Sequence, residues 1–238
     1  MKLSIIIPAF NEEATISDVV DRLQRVDLPS VEKEVIIVND GSVDATAKKL
    51  LDLKKKYSKI HVITHPTNQG KGHAVIEGIA KATGDYILIQ DADKEYSPDQ
   101  IPLLLAPILT GESEVVYGTR LKRMPNFKKD ERNLRFFIQY LGNKFLSLTT
   151  SVLYGQWITD METGYKLFPK KALNGITLFA RSFELEPEIT AKLLKKGYKI
   201  LEIPISTNPR TAEEGKKLSA LRDGPIALWT LVKYRFSN

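Results

Sequence analysis

Short apolar runs recur along the first half of the chain, and each stops at a polar cluster. Leu3–Ile7, Val35–Val38 and Tyr86–Ile89 are almost wholly aliphatic, as strands buried on both faces must be. Ile60–Thr64 and Val115–Tyr117 read as two more strands. Helical spacing fills the gaps. Ile16, Val19, Val20 and Leu23 share one helix face; Ala45–Tyr57 forms a second helix that Asp44 or Ser42 can cap; His73–Ala82 forms a third, stopped by Gly84. Pro98 opens a fourth, running to about Leu109. A repeated strand–helix order predicts an α/β fold with a mostly parallel sheet and right-handed crossovers. Ligands of such sheets bind beyond the carboxyl ends of the strands. The polar clusters stand there: Ala9-Phe10-Asn11-Glu12, Asn39-Asp40-Gly41-Ser42 and Gln90-Asp91-Ala92-Asp93.

The second half has a different texture. Leu134–Leu153 is apolar and aromatic with few charges, and Lys128, Lys129, Arg132 and Arg135 flank it. Glu186–Lys196 is a predicted helix, Lys199–Ser206 a strand, and Leu218–Phe236 a tail mixing Trp229 and Phe236 with Lys and Arg. No repeat, low-complexity stretch or linker divides the chain. Its 238 residues are read as one domain, with residues 1–118 as a nucleotide-binding half and 119–238 as an acceptor-binding half.

Composition narrows the chemistry. The absence of cysteine removes zinc-thiolate sites, iron–sulfur clusters and thiol nucleophiles. The formal charge of +6 points to polyanionic partners without naming one. No run approaches about 18 apolar residues, so membrane contact is expected to be peripheral.

Asp91-Ala92-Asp93, with Glu95 two residues on, follows a buried strand. Alternating carboxylates at a strand end suit a hard divalent cation, and a solvated acidic loop is the plainer alternative. Asp40 in Asp40-Gly41-Ser42-x-Asp44-x-Thr46 is placed for a nucleobase or ribose, or for a helix cap. Asn68-Gln69-Gly70-Lys71-Gly72 suits ribose or phosphate, though it matches neither common nucleotide fingerprint, and a plain strand–helix turn is the alternative. His61, His65 and His73 show no linking spacing and read as structural.

Taken in order, these motifs resemble the family 2 glycosyltransferases. The resemblance rests on Ile6-Ile7-Pro8-Ala9-Phe10-Asn11-Glu12-Glu13, the Asp40 and Gly70 segments, and Asp91-Ala92-Asp93. Tyr117-Gly118-Thr119-Arg120, Asp160-Met161-Glu162-Thr163-Gly164-Tyr165-Lys166, Glu186-x-Glu188-Ile189 and Arg210…Glu214-Gly215-Lys216-Lys217 narrow it to a chain similar to dolichol-phosphate mannosyltransferases and other polyprenyl-phosphate glycosyltransferases. It covers residues 3 to 236.

The resemblance implies a GT-A fold: a Rossmann-like, mostly parallel central sheet flanked by helices, with C-terminal amphipathic helices at a membrane interface. It implies transfer of a hexose, with inversion, from a GDP-mannose- or UDP-glucose-type donor to a polyprenyl phosphate. It implies that Pro8, Ala9, Phe10 and Glu12 line the nucleotide pocket, with Asp40 on the base or ribose and Lys71 near the ribose or diphosphate. Asp91 and Ala92 would contact the nucleotide, and Asp91, Asp93 and Glu95 would hold Mg or Mn. The expected location is the cytoplasmic face of an anionic membrane, with no nucleic-acid partner; a homodimer or a membrane subunit is left open.

A phosphate acceptor is already an anionic nucleophile. Such a reaction needs cations to hold the phosphate more than it needs a base. Arg120, Arg135 and Arg210 are the candidates, followed by Arg132 and Lys216. A hydroxyl acceptor would instead need a general base, and Asp160 is then the candidate. Transfer to a saccharide or protein hydroxyl, or non-catalytic binding of a nucleotide or polyanion, are the competing readings.

Overall fold

The computed structural model describes residues 1–120, 134–208 and 220–237. One seven-stranded sheet runs through it in the order β3-β2-β1-β4-β6-β5-β7. The strands are β1 (Lys2–Ala9), β2 (Glu32–Asn39), β3 (Ile60–Thr64), β4 (Tyr86–Ile89), β5 (Val115–Thr119), β6 (Lys166–Pro169) and β7 (Ile200–Pro204). The helices are α1 (Ile16–Arg25), α2 (Thr46–Lys56), α3 (Lys71–Lys81), α4 (Ile101–Leu109), α5 (Leu134–Tyr154), α6 (Leu185–Lys195) and α7 (Ala220–Phe236). All pairings are parallel except those of β6, which runs antiparallel between β4 and β5.

The side-chain period of two makes β1 the hinge of two cores. Leu3, Ile5 and Ile7 face a layer with Ile16, Val20 and Leu23 of α1, Leu50 and Leu53 of α2, and Leu104 and Leu105 of α4. Ile6 faces the other layer, with Val75 and Ile79 of α3 and Ile189 and Leu193 of α6. On that side α3 lies close to the sheet. A Cβ on Gly78 would come 2.4 Å from the Ile6 methyl, so only glycine fits there.

The predicted helix from Pro98 begins as one 3₁₀ turn before α4, with the Ser97 hydroxyl accepting from the Asp99 amide. Asp44, not Ser42, accepts from the α2 entry: its Oδ1 takes the Thr46 amide at 2.9 Å. The Ser42 hydroxyl accepts from the Asn11 amide instead.

At the amino end of the sheet, Glu34 lies buried among donors. It accepts from the Ser4 hydroxyl at 2.5 Å, from the Thr83 amide at 2.8 Å and from its hydroxyl at 2.5 Å, with Lys2 Nζ 3.0 Å away. Burial pushes the carboxyl up, but these donors outweigh it and hold the pKa down at about 2, from 4.5. A depressed pKa stabilises the fold above the unfolded value and loses that contribution as pH falls. We expect thermal stability to decline between pH 4.5 and about 2, and Glu34→Gln to remove much of that decline, read from melting curves across the range.

Candidate active site

The chain order switches direction at β1, which has β2 on one side and β4 on the other. The crevice beyond such a point is the expected ligand site of an open α/β sheet. The loops there are fastened to one another. Asn11, in the left-handed region at φ 53°, accepts the Val43 amide on its Oδ1 at 2.9 Å. The Glu12 amide donates to Thr46 Oγ1 at 2.8 Å, and Glu13 Oε2 accepts the Ala45 amide at 2.8 Å. Pro8 and Phe10 are partly exposed on this rim, while Ala9 and Glu12 are buried.

Asp40 is buried directly under the glycine-rich loop. Its Oδ1 accepts the Gln69 amide at 2.9 Å and its Oδ2 the Gly70 amide at 2.8 Å; His65 Nδ1 lies 2.7 Å from Oδ1. The structure therefore gives Asp40 a loop-anchoring role beside the one expected on the base or ribose. The loop's glycines answer to backbone packing. At Gly70, with φ +99°, a Cβ would fall 2.1 Å from the Arg181 carbonyl oxygen, and at Gly72 it would fall 2.7 Å from that of Ala180. Glu188 fixes this opposing segment by accepting the Phe179 and Ala180 amides.

Lys71, at the start of α3, bridges two carboxylates. Its Nζ lies 2.8 Å from Asp91 Oδ1 and 3.0 Å from Glu186 Oε1. Burial would push its pKa down, but the two carboxylates outweigh this and carry it well up. Buried Glu186 Oε2 and Glu162 Oε1 have no hydrogen-bond partner. Burial, and then Glu186, push the Glu162 carboxyl up.

The loop from Asp91 to Tyr96 is held from behind. Gln90 Nε2 donates to the Asp91 and Tyr96 carbonyls, and the Tyr165 hydroxyl donates to Gln90 Oε1 at 2.5 Å. Ala92 is buried; Asp91, Asp93 and Glu95 are partly exposed. Asp93 Oδ1 accepts the Glu95 amide at 3.0 Å.

Arg120, at the end of β5, makes a forked pair with the fully buried Asp160. Its backbone amide and Nε donate to Oδ2 at 2.9 and 2.8 Å, and Nη2 donates to Oδ1 at 2.9 Å. Its Nη1 reaches Glu95 Oε1 at 3.3 Å. Burial alone would push the Asp160 carboxyl up; the Arg120 guanidinium outweighs it and holds the pKa below the usual value. Glu202 fixes Asp160 from below by accepting its amide at 2.9 Å.

The structure thus brings Lys71 to Asp91, and Arg120 to Asp160 and Glu95. The Arg135 side chain, Arg132, Arg210 and Lys216 lie outside the described residues. Gln90, Tyr96, Tyr165 and Glu202 were not singled out for a role from sequence; each is an ordinary core or loop residue until the fold shows what it holds. Two of the histidines, expected to be structural and without a linking spacing, meet in the fold. Among the described residues, the trio that brings three metal-ligating atoms within 4.8 Å of one another is His65, His73 and Glu77, not the acidic loop.

Comparison with known proteins agrees with this architecture. A UDP-N-acetylglucosamine–dolichyl-phosphate N-acetylglucosaminyltransferase of Methanococcus voltae is 33% identical over 220 residues, covering 85% of this chain and 84% of the relative. A dolichyl-phosphate β-glucosyltransferase of Trichomonas vaginalis is 32% identical over 218 residues, covering 87% of this chain and 65% of the relative. A dolichol-phosphate mannosyltransferase of Pyrococcus furiosus is 29% identical over 218 residues, covering 91% and 59%. The chain thus spans less than two thirds of the length of the last two. Glucosyl-3-phosphoglycerate synthase of Mycobacterium tuberculosis, solved with Mn2+, UDP and phosphoglyceric acid, superposes with a TM-score of 0.71 at 19% identity, over 100% of this chain and 79% of that one, and so shares the GT-A fold. The profile described as glycosyl transferase family 2 matches residues 4–177, and the chain belongs to that family.

Proposed function

We propose that this glycosyltransferase moves a hexose from a nucleoside-diphosphate sugar to a polyprenyl phosphate, inverting the anomeric carbon. The observation that carries the choice of acceptor is the Arg120–Asp160 pair. Asp160 is fully buried and both its oxygens take hydrogen bonds from Arg120, so it is poorly placed to accept a proton from a hydroxyl. An acceptor that arrives as a phosphate anion needs no such base. Its oxygen attacks the anomeric carbon as the bond to the diphosphate oxygen breaks, and the nucleoside diphosphate leaves with the electron pair. The relatives' use of dolichyl phosphate points the same way.

In this reading the rim from Pro8 to Glu12 and the Asp40-anchored loop hold the nucleotide. Lys71 orients Asp91 and Glu186 and lends positive charge near the diphosphate. The open oxygens of Glu162 and Glu186 are available to sugar hydroxyls. Arg120 is the described cation that would receive the acceptor phosphate; Arg135 and Arg210 remain candidates for the same role from the sequence. Asp91, Asp93 and Glu95 offer carboxylate oxygens of the kind Mg2+ or Mn2+ takes, with Asp91 paired to Lys71 and Glu95 to Arg120 until an ion draws them together. When bound there, the ion would neutralise charge on the departing diphosphate.

The acceptor is lipid, and α5 carries a matching surface. Phe137, Leu141, Phe145, Leu148 and Val152 follow one another at helical spacing and are all exposed, Phe145 to 57% and Val152 to 75%. Trp157 and, on α7, Trp229 are exposed as well. No helix among the described residues is long and apolar enough to cross a membrane. We take the stripe to rest in the interface of the membrane that carries the acceptor. Leu141→Glu with Phe145→Glu should reduce co-sedimentation with anionic vesicles and transfer to vesicle-borne acceptor, while transfer to a detergent-dispersed acceptor stays near the parent rate. The direct test of the function is transfer of labelled sugar to polyprenyl phosphate.

A further inference from the structure

We propose a second metal site, distinct from the acidic loop, in which His65, His73 and Glu77 ligate a borderline divalent cation of the Zn2+ class. His65 directly follows β3, and its side chain is 5% exposed. His73 and Glu77 stand four residues apart on α3 and so share a helix face. One donor atom from each lies within 4.8 Å of the others. Two imidazoles and a carboxylate are the ligand types zinc prefers when cysteine is absent, and three protein ligands leave a fourth position for water.

Three observations point to a cation at this place. His73 Nδ1 is buried and has no hydrogen-bond partner. A buried ring nitrogen in that condition is costly unless a hydrogen-bond partner or a cation engages it. The ring of His65 sits between two carboxylates, Asp40 Oδ1 2.7 Å from Nδ1 and Glu77 Oε2 2.6 Å from Nε2. At 2.6 Å the Glu77 contact is a direct hydrogen bond, so a divalent ion would take the place of the shared proton, with Nε2 and Glu77 moving apart to ligate it, and would answer the charge of the two carboxylates. Finally, Asp40 is the outer partner such a site requires. With Asp40 on Nδ1, the Nε2 that here meets Glu77 is the nitrogen a metal would take in exchange for a proton, the carboxylate–histidine–metal arrangement that fixes tautomer and ring orientation. The two histidine rings meet edge-on, with centroids 5.3 Å apart.

The same Asp40 accepts the Gln69 and Gly70 amides. A cation held by His65 therefore fastens the end of β3, the first turns of α3 and the glycine-rich loop into one unit. Its role is to position that loop.

The test uses the full chain stripped with a chelator and then titrated with Zn2+ alone, with Co2+ as a spectroscopic stand-in. The parent should bind one equivalent of Zn2+, show the visible absorption of low-symmetry Co2+ with nitrogen and oxygen ligands, and melt at higher temperature with zinc than without. His73→Ala and Glu77→Gln should each weaken zinc binding by more than about tenfold and erase the Co2+ absorption. Asp93→Asn should keep both. If His73→Ala disturbs the metal-free melting curve, His73→Gln replaces it. Absence of zinc binding by the parent, unchanged binding in both ligand variants, or loss of binding in Asp93→Asn would each overturn the proposal. No nucleotide or lipid enters the assay, so its outcome is separate from that of the transferase reading.

Discussion

Arg120→Met should lower the free energy of unfolding by about 3–5 kcal/mol, because it leaves the buried carboxylate of Asp160 without its partner. The Asp160 side chain is fully buried, and that of Arg120 is 17% exposed. Surface ion pairs rarely exceed about 1 kcal/mol, so the size of the effect separates this pair from an ordinary one. The control is the double variant Arg120→Met with Asp160→Asn, which removes the stranded charge. It should recover part of the loss, giving a positive coupling between the two positions in denaturant unfolding. Equal losses in the single and double variants would mean that Arg120 packs rather than pairs. Because Arg120 also reaches Glu95, activity should fall further in both variants than stability alone explains.

Asp93→Ala should reduce kcat/KM by about a thousandfold, the scale of several kcal/mol of leaving-group stabilisation. Stability should change little, since Asp93 is partly exposed and the hydrogen bond it accepts from the Glu95 amide is local. The same variant should lose the Mn2+-dependent part of nucleoside-diphosphate binding, measured by calorimetry with and without the metal. Near-normal turnover would remove Asp93 from the metal role.

The strands were legible because burial on both faces leaves little room for polar residues. Leu3–Ile7, Val35–Val38 and Ile60–Thr64 all lie within or match β1, β2 and β3, and α1 follows from Ile16, Val19, Val20 and Leu23. The one strand not foreseen, β6, is four residues long and embedded in a loop-rich segment, so neither length nor alternation marks it. The gathering of the polar clusters was legible too, since polar residues after buried strands must meet at one edge of a parallel sheet. The partnerships were not. Lys71 to Glu186 and Arg120 to Asp160 join residues separated by 115 and 40 positions, and no local pattern encodes such pairs. The meeting of the histidines was hidden for a related reason. His73 and Glu77 have helical spacing, but His65 comes from just after β3, and only the fold brings it to them. The glycines show the same limit: Gly70-Lys71-Gly72 suits ribose or phosphate contact from sequence, while in the fold its glycines are needed against the backbone of Ala180 and Arg181.

The central claim is that the acceptor is a lipid phosphate. The most direct measurement incubates the protein and Mn2+ with UDP- or GDP-sugars labelled in the hexose, supplied with either polyprenyl phosphate or the same polyprenol without its phosphate. The label should pass into the lipid phase with at least one donor, with release of the nucleoside diphosphate, and only when the phosphate is present. No lipid-borne label with any donor, or equal transfer to the unphosphorylated alcohol, would contradict it.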